Sequence, residues 1–408
     1  MTAIEQPAHR VIASFIACIG PKNWSARMAE IAGQAALSQR VGRALVQMHA
    51  IEITIERLRR TANLSNLSMA DCSVLALVGE AVATDAALSA AGRARFRAAL
   101  AASLRQEATL VPVFHLLRTA ALQRSRGFDV YHAGFEEGAA FDLLLTRNEA
   151  EAELSCDVVS AEDGRDVHRS SWARLVDGID ADLQTWLSAH PGRYLLKLTL
   201  PQGLARDSAQ LAALQGRIKT MLHEQRRADH DEACVLRLDP LMLAAAQAGE
   251  PEELRHSREA PKLMQSLRRE FGHEAHLAVT SKGDGLFVLA ARAAREDEVA
   301  VAIRRRLAAI APTRLSGTRP GILAMFVEDT DRTEWRLLRE RLELEGEARQ
   351  FLTFPEARGV VAVTCASRLE LFGGTAPDAA LDGELRFRNP SHPAAKAAGL
   401  APAVSSSI

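Results

Sequence analysis

The sequence predicts an α/β protein in which a helical region precedes a central α-β-β-β-α-β core and a C-terminal α/β region. Two patterns predict this fold class. Up to about Gln106, apolar residues recur at three- and four-residue spacing, as in Ile51, Ile55 and Leu58, which is the period of a helix. From Leu110 onwards, runs of β-type residues alternate with helical stretches, as they do in sheets covered by helices.

Length and composition agree with this class and limit the function. A chain of 408 residues predicts two or three folding units. With 50 Lys and Arg against 51 Asp and Glu, the net charge of -1 excludes whole-chain basicity, so any nucleic-acid surface must be local. The five cysteines never form a Cys-x-x-Cys pair, which argues against a zinc knuckle and a disulfide framework and indicates a reducing cytoplasm.

Changes in pattern along the chain predict the boundaries. The apolar run from Val11 to Gly20 is about half of the roughly 20 residues that span a bilayer, so we expect a docked helix, no membrane segment and no export. Ser68 is a predicted helix N-cap after a break at Asn63–Asn66. The predicted parts are a helical region (1–109), the core (110–230), an α/β region (231–375) and a disordered Pro/Ala/Ser-rich tail (376–408).

The predicted core has the order helix, three strands, helix, strand. Its elements are a helix over 111–126, strands over 128–134, 141–145 and 151–159, a helix over 172–187 and a strand over 194–200. Beyond it we expect helices over 208–227, 260–271, 296–309 and 333–350, and strands over 233–238, 321–327 and 360–371. A hairpin over 276–291 is predicted to turn at Gly283 and Gly285.

Acidic residues on two neighbouring strands predict a candidate metal site. Side chains of a strand point alternately to opposite faces, so Glu153, Ser155 and Asp157 share one face of the strand 151–159. Asp142 lies near the start of the preceding strand, and a short turn joins the two. Converging carboxylates are the hard ligands that Mg²⁺ prefers, and such an ion can activate water against a phosphodiester.

These residues resemble the motifs of the PD-(D/E)XK, or restriction-endonuclease-like, superfamily. Its members have the same order of helices and strands, with an Asp at the second strand and an acidic residue and a Lys two apart on the third. The resemblance covers roughly a quarter of the chain. Its segments are Gly127-Phe128-Asp129-Val130, Phe141-Asp142, Glu153-Leu154-Ser155-Cys156-Asp157 and Gly164-Arg165.

The sequence departs from the family pattern at two positions. Ser155 and Asp157 stand where the pattern has its second acid and its Lys. In the family that Lys orients or deprotonates the attacking water, a role that an ionised Asp157 cannot fill. Because the Lys of some members lies on a nearby element, Lys197 is the candidate substitute. Its alternative role is a strand-end charge that reaches solvent.

The resemblance implies a Mg²⁺-dependent nuclease that acts on DNA phosphodiesters. Asp142, Glu153 and Asp157 would be the metal ligands, Ser155 would line the site, and Lys197 would supply a positive charge. A second hypothesis is a catalytically inactive nuclease fold that serves as a DNA- or protein-binding module. A third is an unrelated α/β protein, which we expect if the three carboxylates lie far apart. The alternative role of the acidic residues themselves is a solvated strand face.

Other motifs carry less information. His273 and His276 lack the rest of a zinc-protease motif, so we expect a turn before a strand there. The sequence has no Gly-x-x-x-x-Gly-Lys-[Ser/Thr], Gly-x-Ser-x-Gly or Gly-x-Gly-x-x-Gly motif, which argues against nucleotide hydrolysis, serine hydrolysis and dinucleotide binding. Four arginine clusters on predicted helices are either ion-paired surfaces or phosphate contacts. They are Arg57, Arg59 and Arg60; Arg226 and Arg227; Arg268 and Arg269; and Arg304, Arg305 and Arg306.

Overall fold

A computed structural model describes residues 5–36, 39–64, 66–205, 207–241 and 260–407. The chain divides into two units. The first unit comprises residues 1–33, 46–163 and 299–408, and the second comprises residues 34–45 and 164–298. The α/β class and the helical N-terminal region are both confirmed. In the described ranges, no helix combines the length and the apolarity needed to cross a bilayer.

The secondary-structure elements follow in chain order. The helices are α1 (Glu5–Ile19), α2 (Pro21–Ala36), α3 (Gln39–Met48), α4 (Ala50–Arg60), α5 (Met69–Ala87), α6 (Ala90–Ala102), α7 (Val111–Ser125), α8 (Ala133–Glu136), α9 (Arg169–Ala189), α10 (Ser208–His223), α11 (Ala260–Phe271), α12 (Val299–Arg314), α13 (Arg332–Glu340), α14 (Glu343–Phe351), α15 (Arg368–Leu371) and α16 (Ala401–Val404). The strands are β1 (Asp129–Tyr131), β2 (Leu143–Arg147), β3 (Ala150–Ser160), β4 (Arg193–Leu200), β5 (Ala228–His230), β6 (Val235–Pro240), β7 (His276–Lys282), β8 (Gly285–Ala293), β9 (Gly321–Glu328), β10 (Val360–Ser367) and β11 (Leu385–Arg388).

The N-terminal helices of the first unit are held by apolar packing and by a defined cap. Phe15 and Trp24 meet edge to face, with ring centroids 6.2 Å apart, inside a cluster that draws on α1, α2 and α4 to α7. Ser68 caps α5 by accepting a hydrogen bond from the Asp71 amide, and Asp71 in turn accepts one from the Ser68 amide. The predicted N-cap at Ser68 is therefore confirmed.

The sheet of the first unit has the strand order β1-β2-β3-β9-β10-β11. β3, β9 and β10 run parallel, and the other neighbours are antiparallel. Alternation along β9 sends Ile322 and Ala324 to the face covered by α7 and α16, whereas Leu323 and Met325 face α12 to α14. Because both faces are covered, this central strand is apolar along almost its whole length.

The second unit has its own sheet, with the order β5-β6-β4-β8-β7. One face, which includes Leu196 and Leu198, packs against α9 and α10. The other face, which includes Leu195 and Val288, packs against α11. β7 and β8 pair as an antiparallel hairpin, and Gly283 adopts a φ of +55° at its turn, so the predicted hairpin is confirmed.

Two predictions about organisation differ from the structure. The segment 110–200 does not form one unit, because α9 and β4 belong to the second unit. The second difference concerns the fourth strand of the core, which was predicted over 194–200. In the sheet of the first unit the neighbour of β3 is β9, and the helix that precedes β9 is α12. The pattern along β4 and β9 identifies each as a buried strand, but it carries no information about which sheet the strand joins.

The predicted disordered tail is also incorrect. β11 pairs with β10, and the backbone of Arg386 exchanges hydrogen bonds with Ser407, whose N–H donates at 3.2 Å and whose hydroxyl accepts at 2.7 Å. Leu400, Ala403 and Val404 are buried in the layer that also contains α7. The Pro, Ala and Ser content indicated disorder, but these short apolar segments bury enough surface against the sheet to order the chain.

Candidate active site

The predicted site residues of the first unit lie where β2 and β3 meet. Asp142 directly precedes β2, and its Oδ2 accepts hydrogen bonds from the backbone N–H of Cys156 at 2.7 Å and from Ser155 Oγ at 3.3 Å. Ser155 is fully buried. The structure therefore brings Asp142 and Ser155 together, as the pairing of these strands predicted.

Asp142 also forms an ion pair with Arg314 at the end of α12. Arg314 Nη2 lies 2.9 Å from Oδ1 and 2.8 Å from Oδ2 of the Asp142 carboxylate. Burial raises the pKa of Asp142, and the Arg314 guanidinium acts in the opposite direction. The guanidinium therefore offsets part of the cost of ionising this carboxylate in a largely buried position.

Asp157 lies two residues after Ser155 on β3. A different arginine of α12 binds its carboxylate. Arg306 Nε donates to Asp157 Oδ2 at 2.5 Å, and Arg306 Nη2 donates to Oδ1 at 3.1 Å. This two-pronged contact raises the pKa of Arg306. Arg306 is thus a fixed cation, with no capacity to accept a proton from water near neutral pH.

Glu153 is fully buried, and the loop between α12 and β9 satisfies its carboxylate. The backbone N–H of Ser316 donates to Glu153 Oε2 at 2.7 Å, and the Ser316 hydroxyl donates to Oε1. Arg319 Nη1 lies 3.6 Å from Glu153 Oε1. Each carboxylate of the predicted metal site therefore already has donors from residues 306–319.

Lys197 belongs to the other unit of the chain. It lies on β4 of the second unit, where its Nζ pairs with Asp239 Oδ2 at 3.3 Å and its side chain is 47% exposed. The alternative reading of Lys197 as a charge that reaches solvent agrees with this exposure.

The residues present do not fit a Mg²⁺ site as they are arranged. Among the residues that the structure describes, no three His, Cys, Asp or Glu side chains are grouped so that they could hold a metal ion. Asp142 and Asp157 each form an ion pair with a guanidinium, which already neutralises the charge that would attract a metal ion.

Sequence reasoning did not assign Arg314, Ser316 and Arg319 to the site. From the sequence, Arg306 is only one member of the basic cluster Arg304, Arg305 and Arg306. These four residues lie about 150 residues after β3 in the sequence, so only the packing of α12 beside β3 and β9 brings them to the carboxylates. The one signal available was the density of arginine and small polar residues between Arg304 and Arg319.

Several members of the arginine clusters form ion pairs. Arg59 and Arg60 both contact Glu56, and Arg59 is the main reason why the pKa of Glu56 falls to about 2. Three further members pair in the same way: Arg57 with Asp71, Arg226 with Glu224 and Arg304 with Glu347. These contacts favour paired surfaces over free phosphate contacts.

His273 and His276 lie in the second unit at the start of β7. His273 occupies the turn, and His276 is the first residue of the strand, so the predicted turn before a strand is confirmed. Partial burial lowers the pKa of His276 to about 3, so this ring is neutral.

The whole chain was compared with protein-family models, with curated proteins and with solved structures. Each of the three comparisons found no match.

Proposed function

We propose that the first unit contains a restriction-endonuclease-like core that has lost catalysis and serves as a binding module. One observation carries this proposal: the carboxylates that the resemblance assigns to a metal are each bound by the protein's own donors. Arg314 binds Asp142, and Arg306 binds Asp157. Glu153 is bound by Ser316.

The order of elements supports the resemblance when residues 164–298 are set aside. α7, β1, β2, β3, α12 and β9 then follow one another within the first unit, apart from the four-residue α8. This is the order helix, three strands, helix, strand, with Asp142 at the second strand and Glu153 on the third. The resemblance thus involves a different helix and fourth strand from those that the sequence suggested.

The residue that stands where the family pattern has its catalytic Lys supports loss of catalysis. Asp157 stands there, and its partner Arg306 provides a positive charge that is held away from proton transfer. Among the described residues no set of His, Cys, Asp or Glu is grouped to hold a metal, and Arg306 cannot accept a proton, so both features support the absence of an activated water.

A second candidate is the metal-dependent nuclease itself. The contact of Asp142 with Ser155 and with the amide of Cys156 favours it, because the acidic residue lies at the junction of the second and third strands, where the resemblance requires it. Such an enzyme would need Arg314 and Arg306 to leave their carboxylates. An assay of DNA cleavage separates the two candidates.

The test combines a cleavage assay with a metal-binding readout on the full chain. We expect no cleavage of plasmid, linear duplex or single-stranded DNA with 10 mM Mg²⁺ or Mn²⁺, and no rise in the thermal midpoint on adding either ion. Cleavage by the wild-type protein that disappears in Asp142→Asn would overturn the proposal in favour of the nuclease.

Duplex DNA is the partner class that the resemblance implies, and its binding is measured separately. We expect fluorescence anisotropy to show binding to a 20-base-pair duplex that weakens steeply as salt rises. The slope of the logarithm of the affinity against the logarithm of the salt concentration then reports how many phosphates the protein contacts. Absence of duplex binding at low salt would contradict a DNA partner and direct the search to proteins.

A further inference from the structure

α7 carries a stripe of buried polar side chains on the side that faces the sheet of the first unit. His115, Thr119 and Gln123 recur every four residues, which places them on successive turns of one side of the helix. Gln123 has no exposed surface, and His115 and Thr119 are almost as deeply buried. The layer around them is otherwise apolar and includes Leu116 and Ala120.

Several polar atoms of this stripe lack a hydrogen-bond partner among the described residues. They are Gln123 Oε1 and Nε2, Thr119 Oγ1, His115 Nδ1 and, from the neighbouring Arg118, Nη1. A buried polar group that has left water without gaining a partner destabilises the folded state, and native proteins contain few of them. The described residues therefore leave five buried polar atoms on three turns of one helix without a protein partner.

The sheet presents a row of side chains opposite this stripe. The strand registers place Cys156, Ala324, Thr364 and Arg386 side by side across β3, β9, β10 and β11. Neighbours of this kind point to the same face of a sheet. His115 Nε2 contacts the carbonyl oxygen of Ala324 at 3.0 Å, and the Thr119 hydroxyl lies beside the Cys156 thiol without hydrogen-bond geometry.

The polar side chains of this stripe are neutral except for that of Arg118. Burial lowers the pKa of His115 to about 4, so its ring is neutral, and Nε2 must carry the proton that it donates to the carbonyl of Ala324. Nδ1 is therefore an acceptor. Burial raises the pKa of the Cys156 thiol well above its usual range. Gln123 and Thr119 both donate and accept, whereas Arg118 Nη1 only donates, so the matching ligand must itself donate and accept.

We propose that α7 and the sheet of the first unit enclose a row of bound water molecules that extends from His115 to Gln123. The eight residues between these two positions correspond to about 12 Å along the helix. A polar space with several convergent donors and acceptors is the kind that holds buried water. The row passes Cys156, whose backbone N–H holds Asp142 at 2.7 Å, so the waters stabilise the segment that positions this carboxylate. This inference does not depend on whether the core cleaves DNA.

A crystal structure of the full chain at about 1.5 Å resolution tests the proposal directly. We expect separate water peaks within about 2.7–3.2 Å of Gln123 Oε1 or Nε2, Thr119 Oγ1 and His115 Nδ1. Direct protein partners for these atoms, or a dry space, would overturn the proposal. Continuous density from a larger bound molecule would also overturn it, because the ligand would then not be water.

Two nearly isosteric variants test the same row in solution. If water occupies the row, Thr119→Val and Gln123→Met each lower the thermal midpoint by about 2–6 °C, because the remaining waters lose a partner. The two losses should combine to less than their sum, since both residues bind one network. If the space is dry, both variants raise the midpoint instead. Gln350→Met, on the exposed face of α14, controls for the change of residue type.

Discussion

Replacing Arg314 by Ala is expected to lower the free energy of unfolding by about 2 kcal/mol. The variant leaves the Asp142 carboxylate buried without its guanidinium, and uncompensated buried charge is among the largest causes of instability. The effect falls below the roughly 3–5 kcal/mol of a fully buried pair because the Arg314 side chain is 36% exposed. Urea unfolding of the full chain, followed by tryptophan fluorescence, measures it.

The controls separate the loss of charge pairing from the loss of packing. Adding Asp142→Asn to Arg314→Ala should recover part of the lost stability, because the double variant no longer buries a charge. Arg349→Ala, which breaks an exposed pair with Glu345, should change the stability by less than about 0.5 kcal/mol. An effect of Arg314→Ala no larger than that of Arg349→Ala would show that Arg314 does not compensate the carboxylate.

Local features of the fold were accessible from the sequence because they depend on neighbouring residues. Ser68 was identified as a cap from its position before an apolar helix, and the β7–β8 hairpin from its glycines. The assignment of strands to sheets was not accessible. β4 and β9 are both short apolar strands, and only contacts across about 160 residues of chain place β9 beside β3.

The candidate site shows the same limit. The closeness of Asp142 and Ser155 followed from two strands joined by a short turn, so a local argument sufficed. The metal hypothesis depends on which side chains from other elements contact the carboxylates. That information lies in α12 and the following loop, which supply Arg306, Arg314 and Ser316. A carboxylate pattern therefore predicts where acids lie but not whether the protein neutralises them itself.

Glu328, at the end of β9, is expected to make the stability of the first unit depend on pH. Its Oε1 is buried without a hydrogen-bond partner in the part of the chain that the structure describes. Burial raises the pKa of Glu328 from 4.5 to about 7, Asp329 and Glu52 act in the same direction, and Arg368 opposes them. The folded protein therefore binds a proton at Glu328 over a pH range in which the unfolded chain has released it.

The sign of the effect follows from this difference. The contribution of Glu328 to stability is fully present below about pH 4.5, declines as the pH rises through 7, and is lost above that. At about 1.4 kcal/mol per pH unit, the gap between 4.5 and about 7 corresponds to about 3 kcal/mol. Glu328→Gln cannot ionise, so it should exceed the wild-type protein in stability by up to this amount at pH 8 and by little at pH 4.5.

Urea unfolding of both proteins between pH 4.5 and pH 8 measures this difference. Glu356→Gln, at an exposed position in the turn before β10, is the matched control and should follow the wild-type profile at every pH. A constant difference between Glu328→Gln and wild type across this range would contradict the prediction. It would mean that Glu328 ionises in the folded protein as it does in the unfolded chain. A difference that grows between pH 5 and pH 7 and then levels off would assign the pH dependence to this carboxyl group, because the amide replaces the acid without a large change in volume.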